Sequence, residues 1–173
     1  MTRCPRTLQR ALVFALLATL FTLTAGATDT TPQFRDFAGK PQSIDAYRSP
    51  GQWLVLMIWA SDCHVCNMEA EAYAHLHEEQ KDRNLRLLGL SIDGADVAAA
   101  RDFVSNHDLP FPSLIGDVAA VAQYYTRVSR RAFRGTPSFV IFRPDGTAAA
   151  SQAGAVPPEV ITEYVDSQSG PTR

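Results

Sequence analysis

Cys63 and Cys66 stand two residues apart, with His64 and Val65 between them. Such a pair can pass between dithiol and disulfide by thiolate attack and resolution. A bridge across so short a loop removes little chain entropy, so the spacing points to chemistry more than to bracing. Other uses of two cysteines fit less well. A c-type haem attachment needs His directly after the second Cys, where this chain has Asn67. A zinc site needs two further ligands. His75 and His77 are two apart, which puts them on different sides of a helix. No metal and no separate cofactor is therefore expected; the redox group is the cysteine pair itself.

The elements around the pair give it its character. Residues 53–59, Trp-Leu-Val-Leu-Met-Ile-Trp, form a continuous apolar run preceded by the turn signal Ser49-Pro50-Gly51. That pattern predicts a strand buried on both faces. From Val65 to about Arg83 the composition turns helical, with Met68, Ala72, Leu76 and Tyr73 as the expected inward face. The pair thus falls where a buried strand ends and a helix begins. A helix N-terminus offers unpaired N–H groups and partial positive charge. Cys63, at the cap, is the expected nucleophile, with its pKa drawn below the free value of about 8.5. Cys66, one turn in, is the expected resolving thiol. A protonated His64 would favour the Cys63 thiolate further, while Asp62 opposes it by like-charge repulsion. The sign of the redox potential is left open by these two influences.

The rest of the chain supplies a sheet. Residues 34–40 read as a short strand or hairpin arm turning at Gly39-Lys40-Pro41, and 44–48 as one helical turn. Residues 85–92 are a second buried strand ended by Asp93-Gly94. Residues 95–107 form a helix striped by Val97, Ala100, Phe103 and Val104, and 118–125 form a shorter one. Residues 138–143 and 148–153 flank Pro144-Asp145-Gly146-Thr147 as a hairpin, and Pro157-Pro158 opens a last helix through about Gln168. Strands joined by helices imply parallel pairing, and the late hairpin an antiparallel edge. The expected fold class is α/β: a three-layer sandwich with a mixed central sheet and a C-terminal antiparallel hairpin.

The N-terminus is a separate piece. Arg3, Arg6 and Arg10 precede an apolar stretch from Ala11 to about Leu23, and no acidic residue occurs before Asp29. Ala25 and Ala27 satisfy the small-x-small rule, so residues 1–27 read as a secretory signal peptide. The alternative is an uncleaved anchor from Leu8 to Ala27, just long enough to span a bilayer but weakened by Thr19, Thr22 and Thr24. Residues 28–33 read as a leader, 34–168 as the domain and 169–173 as a tail. Cleavage removes Cys4 and three of sixteen cationic residues, leaving thirteen against eighteen acidic ones, a net −5. Export to a compartment where disulfides persist suits the pair. The charge gives no reason to expect nucleic-acid binding.

Trp59-Ala60-Ser61-Asp62-Cys63-His64-Val65-Cys66-Asn67-Met68-Glu69 resembles the active-site segment of the TlpA/ResA-like branch of the thioredoxin superfamily. So do Phe37-Ala38-Gly39-Lys40 upstream and Gly135-Thr136-Pro137-Ser138-Phe139 with Pro144-Asp145-Gly146 downstream. The resemblance covers nearly all of 34–168. It implies a thioredoxin-like fold and an exported protein-disulfide oxidoreductase, more a reductase than an oxidase, often in cytochrome c maturation. Its implied partners are a protein disulfide and an upstream thiol donor, in some members membrane-bound. It implies that Thr136-Pro137 is a cis-proline loop opposite the cysteines, exposing the Thr136 backbone to an extended substrate segment. Glu69 matches the acidic residue that this branch places one turn past the second Cys. It is the candidate proton acceptor for Cys66, with a solvated helix residue as the plainer reading.

The departures are Asp62 for a usual Trp, Val65 for a frequent Pro, Glu71 for a frequent kinking Pro, and Met57 where thioredoxin carries a buried Asp. Particular to this chain are Arg127, Arg130, Arg131 and Arg134 just before the proline loop. Arg131 and Arg134 are candidate contacts for an acidic partner, a solvated basic loop being the plainer reading. An alternative on the same scaffold is a copper or haem-assembly chaperone with the cysteines as soft ligands and His107 as the distant one. A thiol peroxidase ranks third, for want of a Thr at the usual place before the cysteine.

Overall fold

The computed structural model describes residues 33–169. The expected signal peptide, its cleavage site and Cys4, most of the leader, and the tail beyond Ser169 lie outside the described residues.

Among these residues seven strands form one mixed sheet in the order β2-β1-β5-β4-β3-β6-β7. A small hairpin, β1 (Phe34–Arg35) and β2 (Pro41–Gln42), turns through Gly39, whose φ of +86° suits glycine. A 3₁₀ turn over Ile44–Tyr47 follows. Then come β3 (Trp53–Trp59), α1 (His64–Gln80), β4 (Leu85–Ser91) and α2 (Val97–Asn106). After them are β5 (Ser113–Ile115), α3 (Val118–Ser129), β6 (Ser138–Phe142), β7 (Ala148–Ala153) and α4 (Pro158–Ser169). β3, β4 and β5 are parallel; β6 runs antiparallel to β3, and β7 to β6.

β3, held between β4 and β6 and covered on both faces, has every one of its seven residues buried. Strand alternation sends Trp53, Val55, Met57 and Trp59 to one face, against Ala70, Tyr73 and Leu76 of α1, Phe103 of α2 and Ile161 of α4. Leu54, Leu56 and Ile58 go to the other face, against Val121, Tyr124 and Tyr125 of α3. This is the expected three-layer sandwich.

Three local readings change. Met68 is 66% exposed and Ala72 is exposed, so they do not line the inward face of α1. The buried set is Cys66, Ala70, Tyr73, Leu76 and His77, because the helix enters with Cys66 turned to the sheet. β5 was not foreseen: three residues between Pro112 and Gly116 are too few to show a period. α3 runs four residues past Tyr125, to Ser129.

The shortness of β5 has a consequence at His77. β5 pairs with β4 only from Gly89 onward, leaving the Leu87 amide beyond its end. The buried His77 ring takes that N–H on Nδ1 at 3.2 Å. Burial lowers the His77 pKa from its ordinary 6.5, with smaller opposing effects from Glu78 and Asp82 on one side and Lys81 and Arg86 on the other. The folded state therefore favours neutral imidazole, the form with a free Nδ1 lone pair. This contribution is complete above pH 6.5 and is lost as pH falls through the lower folded value. Urea unfolding between pH 7 and pH 5 is expected to show falling stability in that window, with a shallower fall in His77→Gln.

Candidate active site

β3 delivers the chain at Trp59 to a tight turn, in which the Cys63 amide donates to Ala60 O at 3.2 Å. Asp93, just past β4, anchors that turn. Its carboxylate accepts the Ser61 amide at 3.1 and 3.2 Å and the Ser61 hydroxyl at 2.9 Å, and it holds the Ser91 hydroxyl at 2.6 Å. Cys63 is then the N-cap of α1, with extended backbone (φ −76°, ψ 108°). Its Sγ accepts the Cys66 amide at 3.1 Å, the bond an Asn, Asp or Ser side chain makes at most helix starts.

Cys63 and Cys66 are joined in a disulfide, their Cα atoms 5.2 Å apart. Cys63 is half-buried and Cys66 is wholly buried among the core side chains of α1 and β3. The two linked residues thus differ in burial, Cys63 being the one nearer solvent. His64, Val65 and Asp62 are exposed around the pair.

The proline loop sits at the same end of the sheet. Ser138 pairs with Ile58, so Thr136 and Pro137 lie beside the end of β3, where the chain leads into the cysteines. The Thr136–Pro137 peptide is cis. Pro137 is buried, and its carbonyl accepts the Gly154 amide at 2.8 Å. Thr136, half-buried, has no hydrogen-bond partner among the described residues. Arg130, Arg131 and Arg134 are exposed in the loop leading to it. Arg130 ends α3 in left-handed conformation (φ 60°), and Arg127 lies over the Tyr124 ring at 5.4 Å.

Glu69 lies half-buried one turn past Cys66 and is not simply solvated: the Tyr73 hydroxyl is 2.9 Å from its Oε2. The same hydroxyl lies 2.8 Å from Val156 O and accepts the Val156 amide at 3.3 Å. A phenol has one proton, so it serves one of its two acceptors at a time. Burial, together with Glu69, pushes the Tyr73 pKa well above the ordinary phenol value. Met57 is buried where thioredoxin carries its Asp, so no carboxylate lies under the cysteines from that position.

The structure separates the candidate metal residues. His75 is exposed and faces Glu79, His77 is held by Leu87, and His107 Nε2 lies 2.9 Å from Asn67 Oδ1. Among the described residues no group of three or more His, Cys, Asp or Glu side chains could hold a metal ion. The sequence reading missed Asp93, Tyr73 and Asn67 as parts of the site. Asn67 alone left a signal, an amide four residues past Cys63 at a helix start.

Comparison with known proteins agrees with this architecture. Alkyl hydroperoxide reductase C of Mycobacterium tuberculosis is 36% identical over 76 residues, 42% of this chain; the chain spans 38% of that protein's length. Thiol-disulfide oxidoreductase ResA of Bacillus cereus is 23% identical over 130 residues, 75% of this chain and 70% of that protein. A crystal structure of a secreted Mycobacterium tuberculosis disulfide oxidoreductase, described as homologous to Escherichia coli DsbE, superposes with a TM-score of 0.61. It is 25% identical and covers 78% of this chain and 93% of its own. The sequence matches the AhpC/TSA family over residues 18–151, well over half its length. With its thioredoxin-like fold and its paired cysteines at a helix tip, the chain belongs to the AhpC/TSA family.

Proposed function

We propose that the chain is an exported thiol–disulfide oxidoreductase that reduces protein disulfides, cytochrome c maturation being the setting its resemblance implies. The observation that carries this reading is the asymmetry of one linked pair. The outer sulfur caps a helix at the surface, and the inner one is sealed one turn below it.

In the reduced protein the Cys63 thiolate attacks one sulfur of a substrate disulfide. A Cys63–substrate disulfide forms, and the other substrate sulfur leaves as a thiolate that takes a proton from water. Cys66 then gives up its proton, to Glu69 in this reading, and attacks Cys63 Sγ. The second substrate thiol is released and the Cys63–Cys66 disulfide of this structure remains. Two electrons have passed to the substrate, and an upstream thiol donor returns them. Thr136, with its main chain unpaired at the rim, pairs with the extended segment carrying the substrate cysteine. Arg131 and Arg134 orient an acidic partner.

The purified protein is expected to reduce insulin disulfides with dithiothreitol as donor, and Cys63→Ser to be inactive. Copper binding at stoichiometric affinity without insulin reduction would favour the assembly-chaperone reading. For the arginines, Arg131→Glu with Arg134→Glu is expected to slow reduction of an acidic peptide disulfide several-fold in low salt. Reduction of a neutral peptide should stay unchanged, because exposed charges act on encounter and are screened by salt. Equal rates on both peptides would remove the arginines from recognition.

The alkyl hydroperoxide reductase relative favours a second reading on the same atoms. There Cys63 thiolate attacks a peroxide O–O bond, giving a sulfenic acid and an alcohol, and Cys66 condenses with it to the same disulfide, releasing water. The want of a Thr at the usual place before the cysteine weighs against it. Consumption of a hydroperoxide faster than insulin reduction, lost in Cys63→Ser, would establish it.

A further inference from the structure

We propose that Asn67 is the positioning residue that keeps Cys63 in its reactive geometry, and that His107, from the far end of α2, fixes the orientation of Asn67. This rests on the reading of Cys63 as the attacking thiol.

The Asn67 side chain reaches back over the start of its own helix. Its amide nitrogen lies 3.0 Å from Ser61 O and 2.9 Å from Cys63 O. An amide nitrogen has two protons, and both are used here. The Cys63 carbonyl also receives the Asn67 main-chain N–H at 3.0 Å, so one residue grips it twice. The Ser61 carbonyl lies in the peptide before Asp62 and the Cys63 carbonyl in the peptide after Cys63, so the Asp62–Cys63 step is bracketed by two tethered peptides. The tether maintains the Cys63 backbone angles that bring Sγ onto the Cys66 amide. Without it the peptide between Asp62 and Cys63 turns more freely, and the Asp62 charge gains access to the sulfur.

His107 makes the arrangement one-directional. With both Asn67 protons committed, Oδ1 is left facing His107 Nε2 at 2.9 Å, and an amide oxygen only accepts. His107 Nε2 therefore carries a proton and donates it. The flipped amide would set its oxygen against two carbonyl oxygens. The imidazolium keeps the same N–H, so the clamp holds whether or not the ring is charged. The ring is itself held: it meets Phe103 edge-on at 4.6 Å, and Phe103 stacks on Trp59 at 4.3 Å. Trp59 ends β3, four residues before Cys63, so the network starts and finishes at the same turn.

The test compares Asn67→Ala, Asn67→Asp, His107→Phe and His107→Gln with the unsubstituted chain. Two quantities are read from reduced protein: the pH midpoint for alkylation of Cys63, and the position of equilibrium with glutathione. Asn67→Ala is expected to raise the midpoint by roughly half a unit to one unit, the scale of one or two lost neutral hydrogen bonds. Asn67→Asp, with no donors and a charge near sulfur, should raise it at least as much. His107→Phe should give a smaller rise, and His107→Gln, which retains a donor, should recover most of it. A lowered Tm with midpoint and glutathione equilibrium unchanged would overturn the proposal and leave Asn67 a merely structural cap. Should Asn67→Ala fail to fold, His107→Phe against His107→Gln decides the matter alone. If the unsubstituted chain forms no reversible disulfide, the oxidoreductase reading itself has failed, a result distinct from a functioning chain whose variants match it.

Discussion

Cys63→Ser is expected to abolish insulin reduction, lowering the rate by about three orders of magnitude or more, the scale for losing a member of a concerted catalytic unit. A serine hydroxyl keeps the cap bond to the Cys66 amide but is not ionised near neutral pH and does not attack sulfur. The fold should therefore persist while the chemistry stops. Cys66→Ser should behave differently. Cys63 still attacks, but nothing displaces the captured substrate, so the protein accumulates as a mixed disulfide through Cys63, visible as an added mass removed by dithiothreitol. The contrast follows from burial: Cys63 is open at the helix tip, and Cys66 is closed over by Ala70, Tyr73 and the β3 side chains. Adduct through Cys66 in a Cys63→Ser protein, in place of the reverse, would contradict the assignment of roles.

Gly89→Ala is expected to be the most damaging small substitution, costing about 2–3 kcal/mol as overpacking of a closed core. A Cβ there would stand 2.3 Å from Ser113 Oγ and 2.8 Å from Trp59 Nε1. The serine can turn, but its own Cβ is only 3.2 Å away. The indole has less freedom, because its ring is stacked on Phe103. Ser113 Oγ and Trp59 Nε1 are also both buried without a hydrogen-bond partner among the described residues. In a domain of this size the loss corresponds to a Tm lower by roughly 5–10 °C. Ser113→Ala in the Gly89→Ala background should return part of it by removing the first clash. Thermal unfolding equal to that of the unsubstituted protein would show that β4 and Trp59 relax more easily than their packing implies.

How much of this was legible in the sequence depended on distance along the chain. β3 was legible because a strand covered on both faces must be apolar at every position, and residues 53–59 are. The cysteine pair was legible because spacing and the strand-to-helix boundary are local facts. The β6–β7 hairpin was legible from the turn at Pro144-Asp145-Gly146. The inward face of α1 was misread because Met68 looks like a core residue. Only the entry angle at Cys66 shows that residue 68 points outward. The supports of the site were invisible for a different reason. Asp93 reaches Ser61 across 32 residues, His107 reaches Asn67 across 40, and Tyr73 reaches Val156 across 83. No spacing rule joins such residues, and each alone reads as an ordinary turn, helix end or core aromatic.

Activation of the outer of two linked sulfurs by a helix tip can be read by titrating the thiolate absorbance of the reduced protein against pH, with Cys66→Ser to isolate Cys63. A Cys63 midpoint clearly below the free-cysteine value of about 8.5 is expected. A midpoint at or above that value would mean the helix start and its Cys66 amide do not stabilise the thiolate, and the assignment of Cys63 as the attacking group would not stand.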